Sequence, residues 1–383
     1  MGRKSVLASA FVCSLLASEP CSVGAEPLAP LAPMTPARPE RSGERNEAGI
    51  EPAPFAKTPS RAVDAVILVT LDGVRWQEVF EGTEQARLER GDSVTAAPQV
   101  WPNVYRLLRD RGVALGGGAV AISASGPNYM SLPGYTEILS GHSPPACGDN
   151  ECGFTTEPTI VDDVLDRGED AAVVASWERL ERAVAKEPRY ALVSAGRHGG
   201  RQLGRTRFAT HVAAYQNARP EPGGGDFRPD RFTAELALEV LRDRRPEFLM
   251  IGLGEPDEFA HLNDYAGYVR SLRACDAFLG ELFRTLDGMG TRGERTAVFV
   301  TADHGRGKDF QNHGGGYAES ARSWLFALGA GIEARGVVQL GEARHLGDIA
   351  PTMRGLLGLP VDTHPQAGHF IDEILLPRVA LLP

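Results

Sequence analysis

Apolar residues occur along this chain in two alternating patterns. Short, continuous, mainly β-branched runs, such as 64–71 and 297–301, are typical of strands buried on both faces of a sheet. Longer segments, such as Tyr265–Asp287, place apolar residues at helical spacing. Because strands that alternate with helices form parallel sheets, the pattern predicts an α/β fold: a doubly wound, mostly parallel central sheet with helices on both faces. Further strands are predicted at Ala171–Ala175, 190–194, Phe248–Leu253 and 323–328, and further helices at Pro102–Arg111, 161–167, 177–185, 232–244 and Ile349–Leu357.

Three of the predicted strands are followed by an aspartate. Asp72 directly follows the first strand, Asp303 comes just after strand 297–301, and Asp257 lies in the turn after Phe248–Leu253. The carboxyl ends of parallel strands meet at one edge of the sheet, where open α/β proteins bind their ligands. We therefore expect these three carboxylates to converge.

Histidines accompany two of these aspartates. His261 follows Asp257 by four residues, so one helical turn would point both side chains at one spot. His304 is adjacent to Asp303, and a Gly-rich loop then leads to His313. Carboxylate and imidazole together are typical of zinc sites, whereas magnesium and calcium sites are built from oxygen. Each residue alone could be a solvated side chain, but that alternative is improbable for six residues at one edge.

A predicted helix over residues 131–141 carries a serine at its amino terminus. Ser131 suits the N-cap position, Pro133 the first turn and Gly141 the helix end. A hydroxyl there lies beside free amides and the positive end of the helix dipole, a natural place for an oxyanion. The alternative is a serine that only caps the helix.

Taken in order, these motifs resemble the alkaline phosphatase superfamily, in particular its nucleotide pyrophosphatase/phosphodiesterase branch. The resemblance covers residues 64 to 360. It rests on Leu71-Asp72-Gly73, on the nucleophile segment from Ser131 to Gly141, on the Asp-x-x-x-His pair at Asp257 and His261, on Thr301-Ala302-Asp303-His304-Gly305, and on His313-Gly314.

The resemblance implies two zinc ions and a covalent intermediate. Asp257, His261 and His313 would hold one zinc, and Asp72, Asp303 and His304 the other, with Ser131 as its exchangeable ligand. Ser131 would attack a phosphoric ester to form phosphoserine, which water then hydrolyses. Asn150 would bind a non-bridging phosphate oxygen through its side-chain amide; the alternative is an ordinary turn residue.

Two departures from the family pattern limit what the resemblance implies. The phosphodiesterase branch usually has Asn-His after the nucleophile's proline, where this chain has Gly134-Tyr135, so nucleotide specificity is not carried over. Sulfatases that form formylglycine need Cys or Ser followed by x-Pro-x-Arg. Tyr135 occupies the arginine place, so Ser131 is expected to remain a serine.

The amino-terminal region has the layout of an exported protein. Arg3 and Lys4 precede an apolar stretch at 6–17 that is too short to span a bilayer, and small residues end at Ala25, which predicts a signal peptide over residues 1–25. Residues 26–62, rich in Pro and Ala, predict a disordered spacer. A single catalytic domain is then expected over 63–383, in a periplasmic or secreted protein without a transmembrane segment.

The net charge and the cysteines limit which partners and which cross-links are expected. The net charge of −10 becomes −11 without the signal peptide, so binding to nucleic-acid polymers is not expected, whereas a small phosphate ester can still be a substrate. Cys147 and Cys152 favour a local disulfide in an oxidising compartment, with a thiolate metal site as the alternative. Cys275 lies in a helical pattern and is expected to be a buried free thiol.

The region 197–231 is rich in Gly, Arg and Pro, and this composition predicts an inserted loop.

The function expected from these observations is hydrolysis of phosphoric esters, diesters or monoesters, by an exported two-zinc enzyme. A phosphonate or sulfate ester hydrolase on the same metal core is one alternative. An exported metal-binding protein without turnover is another. The sequence does not define the leaving group or the oligomeric state.

Overall fold

The computed structural model describes residues 63–144, 146–186, 191–198, 219 and 222–377. The chain divides into two units, Met1–Ala56 and Lys57–Pro383, and all described residues belong to the second. The predicted signal peptide, the predicted spacer and most of the predicted inserted loop lie outside the described residues. Within these ranges, no helix is both long and apolar enough to cross a membrane.

The described strands form one large sheet and one small sheet. In chain order they are β1 Ala65–Leu71, β2 Gly112–Leu115, β3 Ile122–Ser123, β4 Ala171–Ala175, β5 Leu192–Ala195, β6 Phe248–Leu253, β7 Thr296–Thr301, β8 Arg322–Ser323, β9 Leu325–Gly329, β10 Gly336–Val337 and β11 Arg344–His345. The large sheet has the order β10-β2-β9-β7-β1-β6-β4-β5, and the small one β11-β3-β8. From β7 to β5 all neighbours are parallel, while β9 runs antiparallel to β7 and β2.

Helices cover both faces of the large sheet. The α-helices are α1 Trp76–Phe80, α2 Ala97–Val100, α3 Pro102–Arg111, α4 Ser131–Ser140, α5 Ile160–Asp166, α6 Glu181–Val184, α7 Asp230–Arg244, α8 Glu255–His261, α9 Tyr265–Asp287, α10 Thr291–Glu294 and α11 Ile349–Leu357. One apolar core lies between the sheet and α3, α7 and α9, and the other between the sheet and α4, α5, α6 and α11. Alternate residues of β1 enter the two cores, Ile67 the first and Leu68 the second. The predicted doubly wound α/β fold is confirmed.

The register of the central strands brings the predicted acidic residues to one edge. Leu71 of β1 is paired with Leu253 of β6, and Thr70 with Thr301 of β7. Because these strands are parallel and in register, the residues that follow them leave the sheet at the same level. That level is the carboxyl edge, where Asp72 and Asp303 stand and where α8 begins.

Helix α4 approaches this edge closely because it has a glycine in its first turns. A Cβ atom at Gly134 would lie 2.3 Å from the carbonyl oxygen of Asp303. We expect Gly134→Ala to destabilise the fold by about 1–3 kcal/mol through overpacking, although alanine is the better helix former. The midpoint of urea unfolding measures this. Gly153→Ala is the matched control, since a Cβ there meets nothing within 4 Å; an equal loss of stability in both variants would contradict the explanation.

Candidate active site

Two groups of ligand-type side chains meet at the carboxyl edge of β1, β6 and β7. The first, named the inner cluster, consists of Asp72, Asp303 and His304, whose candidate ligand atoms all lie within 4.8 Å of one another. His304 Nε2 lies 3.5 Å from Asp72 Oδ1 and 3.4 Å from Asp303 Oδ2. All three side chains are buried. The inner cluster therefore has the composition and spacing of a metal site.

The second group, named the outer cluster, consists of Asp257, His261 and His313. His261 Nε2 lies 3.1 Å from Asp257 Oδ2 and 3.1 Å from His313 Nε2. The spacing of four residues between Asp257 and His261 falls on α8, so both side chains do point to one spot. The outer cluster adjoins the inner one, since the rings of His304 and His313 stack with centroids 3.9 Å apart.

His304 stands between the two clusters. Its candidate ligand atom lies within 4.8 Å of those of Asp257 and His313, as well as of those in the inner cluster. The structure thus brings all six predicted ligand residues together. It also puts His304 within reach of both groups, whereas the resemblance assigned this histidine to one of them.

Hydrogen bonds to backbone carbonyl groups outside both clusters orient the rings of His304 and His313. Nδ1 of His304 donates to the carbonyl oxygen of Gly305 at 2.8 Å, and Nδ1 of His313 donates to that of Tyr129 at 3.0 Å. In the neutral imidazole this leaves the Nε2 lone pair free for a metal, the usual arrangement around metal-ligating histidines. Burial first, and then the neighbouring His313, holds the pKa of His304 well below its usual range. His304 is therefore neutral, as a ligand must be.

Each of the three carboxylates has one oxygen held by a donor outside the clusters. The other oxygen of each faces the site, so the carboxylates are set up to bind with one oxygen. The held oxygens are Asp72 Oδ2, which accepts from the Tyr135 hydroxyl at 2.7 Å; Asp303 Oδ1, which accepts from the Gly73 amide at 3.1 Å; and Asp257 Oδ1, which accepts from the Arg306 guanidinium.

The electrostatics of the inner cluster fit a bound cation. Asp303 Oδ2 is one of the buried side-chain atoms, among the described residues, that lack a hydrogen-bond partner. Burial, followed by the charge of Asp257, raises the pKa of Asp303 to about 8, and burial with the charge of Asp303 raises that of Asp72. An orphaned carboxylate oxygen and mutual repulsion are what a divalent cation would relieve. The residues present therefore fit the metal that the resemblance implies.

Ser131 lies next to the inner cluster at the amino end of α4. Its Oγ is 3.4 Å from Asp72 Oδ1 and 3.2 Å from His304 Nε2, and the side chain is buried. The predicted N-cap position is wrong by one residue, because Met130 is the N-cap and Ser131 begins the helix. Its hydroxyl points to the clusters and does not cap the backbone.

Asn150 lies beside the nucleophile segment. Its Oδ1 accepts a hydrogen bond from the amide of Leu132 at 2.9 Å, so the side chain sits on the first turn of α4. The predicted disulfide is confirmed: Cys147 and Cys152 are bonded and enclose Asn150 in a short loop. Arg179 ties this loop down by donating to the carbonyl oxygen of Asn150 at 3.0 Å. Cys275 is free and buried, as predicted.

Tyr135 and Arg306 are site residues that sequence reasoning missed as contributors. In the sequence, Tyr135 marks only the place of a sulfatase arginine, although its spacing of four from Ser131 puts both residues on the same helix face. Arg306 follows the Asp303-His304 pair by two residues, in the Gly-rich loop, and the sequence pattern assigns it no role. In the fold it is buried against Asp257, and no sequence signal marked that partner.

Removal of the Tyr135 hydroxyl is expected to weaken metal binding at the inner cluster. The Tyr135→Phe variant keeps the ring and loses only the hydrogen bond to Asp72. Loss of a hydrogen-bond partner of a metal ligand typically costs about 10–100-fold in metal affinity or activity. Calorimetric zinc titration of the metal-free protein measures this. Tyr105→Phe is the matched control, since it loses a hydroxyl that donates to the carbonyl oxygen of Val79; equal affinities in both variants would contradict the role of Tyr135.

The fold and the site together define the class. The chain has the alkaline phosphatase-like fold, with a cluster of candidate metal ligands at the carboxyl edge of its sheet. The alkaline phosphatase PafA superposes with a TM-score of 0.59 at 12% identity, over 82% of this chain and 99% of that one. A phosphonate monoester hydrolase from Silicibacter pomeroyi superposes with a TM-score of 0.56 at 13% identity, over 84% of this chain and 77% of that one. At such identities the likeness establishes the fold.

Sequence comparison adds a family match for part of the chain. Residues 227–361 match the Metalloenzyme superfamily, a segment that contains both the Asp257–His261 pair and the Asp303–His313 loop. The 2,3-bisphosphoglycerate-independent phosphoglycerate mutase of Halobacterium salinarum is 25% identical over 196 residues, 49% of this chain and 36% of that protein. The corresponding enzyme of Pseudomonas aeruginosa (strain UCBPP-PA14) is 25% identical over 217 residues, 54% of this chain and 38% of that protein. The chain thus matches little more than a third of the length of these relatives.

Proposed function

We propose that this protein is an exported two-zinc hydrolase of phosphoric esters that works through a covalent phosphoserine at Ser131. The observation that carries the proposal is the position of the Ser131 hydroxyl, 3.2 Å from His304 Nε2 and at the amino end of α4. A serine there has the ligand clusters on one side and, on the other, its own backbone amide at the start of the helix. That is the setting in which a hydroxyl can act as a nucleophile and an oxyanion can be bound.

The inner and outer clusters would each hold one metal ion, and zinc suits their share of imidazole ligands. Bound divalent cations would act as Lewis acids, lowering the pKa of the serine hydroxyl and neutralising charge on the phosphoryl oxygens. The protein's own residues supply the alignment. Tyr135 holds Asp72, Arg306 holds Asp257, and the carbonyl oxygens that accept from His304 and His313 fix those rings.

The proposed reaction has two displacements at phosphorus. Ser131 Oγ attacks and loses its proton, the bond from phosphorus to the ester oxygen breaks, and the alcohol leaves with a proton. Water then attacks the phosphorylated serine, the bond between phosphorus and Oγ breaks, and Ser131 regains a proton. A monoester substrate thus releases inorganic phosphate, and a diester releases a phosphomonoester. The backbone amide of Ser131 and the side-chain amide of Asn150 would bind the phosphoryl oxygens during both steps, since the Leu132 amide already donates to Asn150 Oδ1 and Pro133 has no N–H.

Phosphodiesters and phosphomonoesters are the proposed substrates, and the phosphodiesterase branch of the superfamily is the proposed closer relationship. A phosphonate or sulfate ester hydrolase on the same metal core is the second candidate, favoured by the fold it shares with a phosphonate monoester hydrolase. A formylglycine mechanism is not proposed, because Tyr135 takes the arginine place and its hydroxyl is committed to Asp72. Export is supported by the amino-terminal sequence and by the Cys147–Cys152 disulfide.

The decisive experiment compares substrates with and without metal. The purified full chain is stripped with a chelator and then assayed, before and after zinc is restored, on 4-nitrophenyl phosphate, bis(4-nitrophenyl) phosphate, an aryl phosphonate ester and 4-nitrophenyl sulfate. We expect zinc-dependent release of nitrophenol from the phosphate esters. Turnover that is unaffected by chelation would refute the metal mechanism.

Three further readouts separate the alternatives. Release of inorganic phosphate from the monoester, and of 4-nitrophenyl phosphate from the diester, distinguishes hydrolysis from an internal phosphoryl transfer, the type of reaction in the names of the curated relatives. Faster turnover of the phosphonate or the sulfate than of either phosphate would favour the second candidate. Two bound zinc ions without turnover of any ester would favour a binding protein.

A further inference from the structure

The inner and outer clusters differ in the charge of their ligands. The inner cluster contains two carboxylates, Asp72 and Asp303, with the imidazole of His304. The outer cluster contains one carboxylate, Asp257, with the imidazoles of His261 and His313. When ionised, the carboxylates of the inner cluster supply one more negative charge. Coulombic attraction for a divalent cation is therefore stronger at the inner cluster before any other group is considered.

A buried arginine increases this difference. The Arg306 guanidinium contacts Asp257 Oδ1 and is held in place by the carbonyl oxygens of Phe310 and Gln311. Its side chain is fully buried, so solvent does not screen its charge. At the inner cluster, the group that donates to Asp72 in the same way is the neutral hydroxyl of Tyr135. The outer cluster thus carries a fixed positive charge at its only carboxylate, and the inner cluster carries none there.

The ligand side chains of the two clusters also differ in solvent exposure, and this difference again favours tighter metal binding at the inner cluster. The side chain of His261 is 42% exposed at the last residue of α8. The side chains of Asp303 and His304 have no exposed area, and that of Asp72 is 6% exposed. A ligand at a helix end that faces water can leave a metal ion more easily than one enclosed by the core, so an ion in the outer cluster can exchange with solvent.

From ligand charge, the position of Arg306 and exposure, we infer that the two metal sites are unequal. The inner cluster binds its ion tightly, while the outer cluster binds a second ion weakly and exchangeably because the Arg306 charge opposes it. At limiting zinc the chain therefore holds one ion, in the inner cluster. The inference about binding rests on the metal-binding part of the proposed function and is independent of ester hydrolysis.

The first test measures binding of zinc alone to the metal-free full chain, by calorimetry and by native mass spectrometry. We expect two steps whose dissociation constants differ by about tenfold or more. His261→Ala should remove only the weaker step, and Asp303→Asn the tighter one. His364→Ala, a histidine outside both clusters, is the matched control and should keep both steps. Two equal steps in the unmodified chain, or loss of the tighter step in His261→Ala, would overturn the inference.

The second test isolates the charge of Arg306. Arg306→Gln removes the charge but keeps a donor for Asp257, whereas Arg306→Lys keeps the charge and loses the planar fork. We expect the weaker step to tighten by about tenfold or more in Arg306→Gln and to stay weak in Arg306→Lys. A weaker outer step in Arg306→Gln would show that orientation, not charge, is what Arg306 contributes. Unequal zinc steps in a protein that hydrolyses no ester would leave this inference intact while refuting the proposed function.

Discussion

Ser131→Ala is expected to lower ester turnover about a thousandfold or more while the fold and the bound zinc persist. The substitution removes the only atom that forms the proposed covalent bond to phosphorus, and loss of a nucleophile leaves only the contribution of binding and charge stabilisation. Ser131 is a predicted exchangeable ligand, whereas the six aspartates and histidines of the two clusters remain. Metal content should therefore change little even though turnover is lost.

The measurement is a steady-state assay with zinc counted on the same samples. Ser93→Ala is the control, because Ser93 is exposed on a loop and lies outside both clusters. Acid quenching during turnover, followed by peptide mass spectrometry, should find phosphate on the peptide that contains Ser131. Turnover within about tenfold of the unmodified enzyme, or phosphate on another residue, would exclude the covalent mechanism.

Zinc-free protein is expected to lose stability as the pH rises, and zinc should remove the part of that dependence that comes from Asp303. Burial and the charge of Asp257 raise the pKa of Asp303 from 3.8 to about 8 in the folded chain. Between these values the folded state holds a proton that the unfolded state has released, so raising the pH favours unfolding. This contribution is fully present below the unfolded pKa and is lost as the pH rises through the folded pKa.

Zinc binding removes the proton that the folded state holds on Asp303, since a carboxylate that ligates a cation is ionised. At free zinc about 100 times the dissociation constant, binding adds about 2.7 kcal/mol to the free energy of unfolding. Thermal unfolding between pH 5 and 8.5, with and without zinc, measures both effects. Burial and the nearby Glu255 also raise the pKa of Asp230, to about 7, but that residue lies outside both clusters, so the difference between the two curves isolates the site.

Asp303→Asn supplies the control for this pH dependence. An amide cannot titrate, so the zinc-free variant should lose less stability between pH 5 and 8.5 than the zinc-free unmodified chain. A zinc-free unmodified protein whose stability is constant over that range would contradict the raised pKa of Asp303. Chelation that leaves both stability and turnover unchanged would contradict the metal site itself.

Much of the site was visible in the sequence because its chemistry is tied to strand ends. Asp72 directly follows β1 and Asp303 lies two residues after β7, and a buried parallel strand is recognisable from its unbroken apolar run. The spacing between Asp257 and His261 is one helical turn, which is a local property of α8. Local periodicity is therefore enough to predict that these side chains share an edge of the sheet.

The short elements were less accessible to sequence reasoning. β2 and β10 have four and two residues, so no periodicity develops within them, and their pairing with distant strands supports them. The N-cap position was wrong by one residue for a related reason. Which residue of the Met130-Ser131 pair caps α4 depends on whether the serine hydroxyl finds a partner elsewhere, and here it faces Asp72 and His304.

The sequence by itself thus determined the fold class and the candidate ligands at the sheet edge, and it favoured the disulfide between Cys147 and Cys152 that the structure contains. Only the tertiary structure decided how those ligands are held. Tyr135 reaches Asp72 across 63 residues of chain and Arg306 reaches Asp257 across 49, contacts that no local pattern encodes. The same holds for the position of His304 between the two clusters. Periodicity reports which face of an element is buried, whereas the partner that it meets there depends on how the whole chain packs.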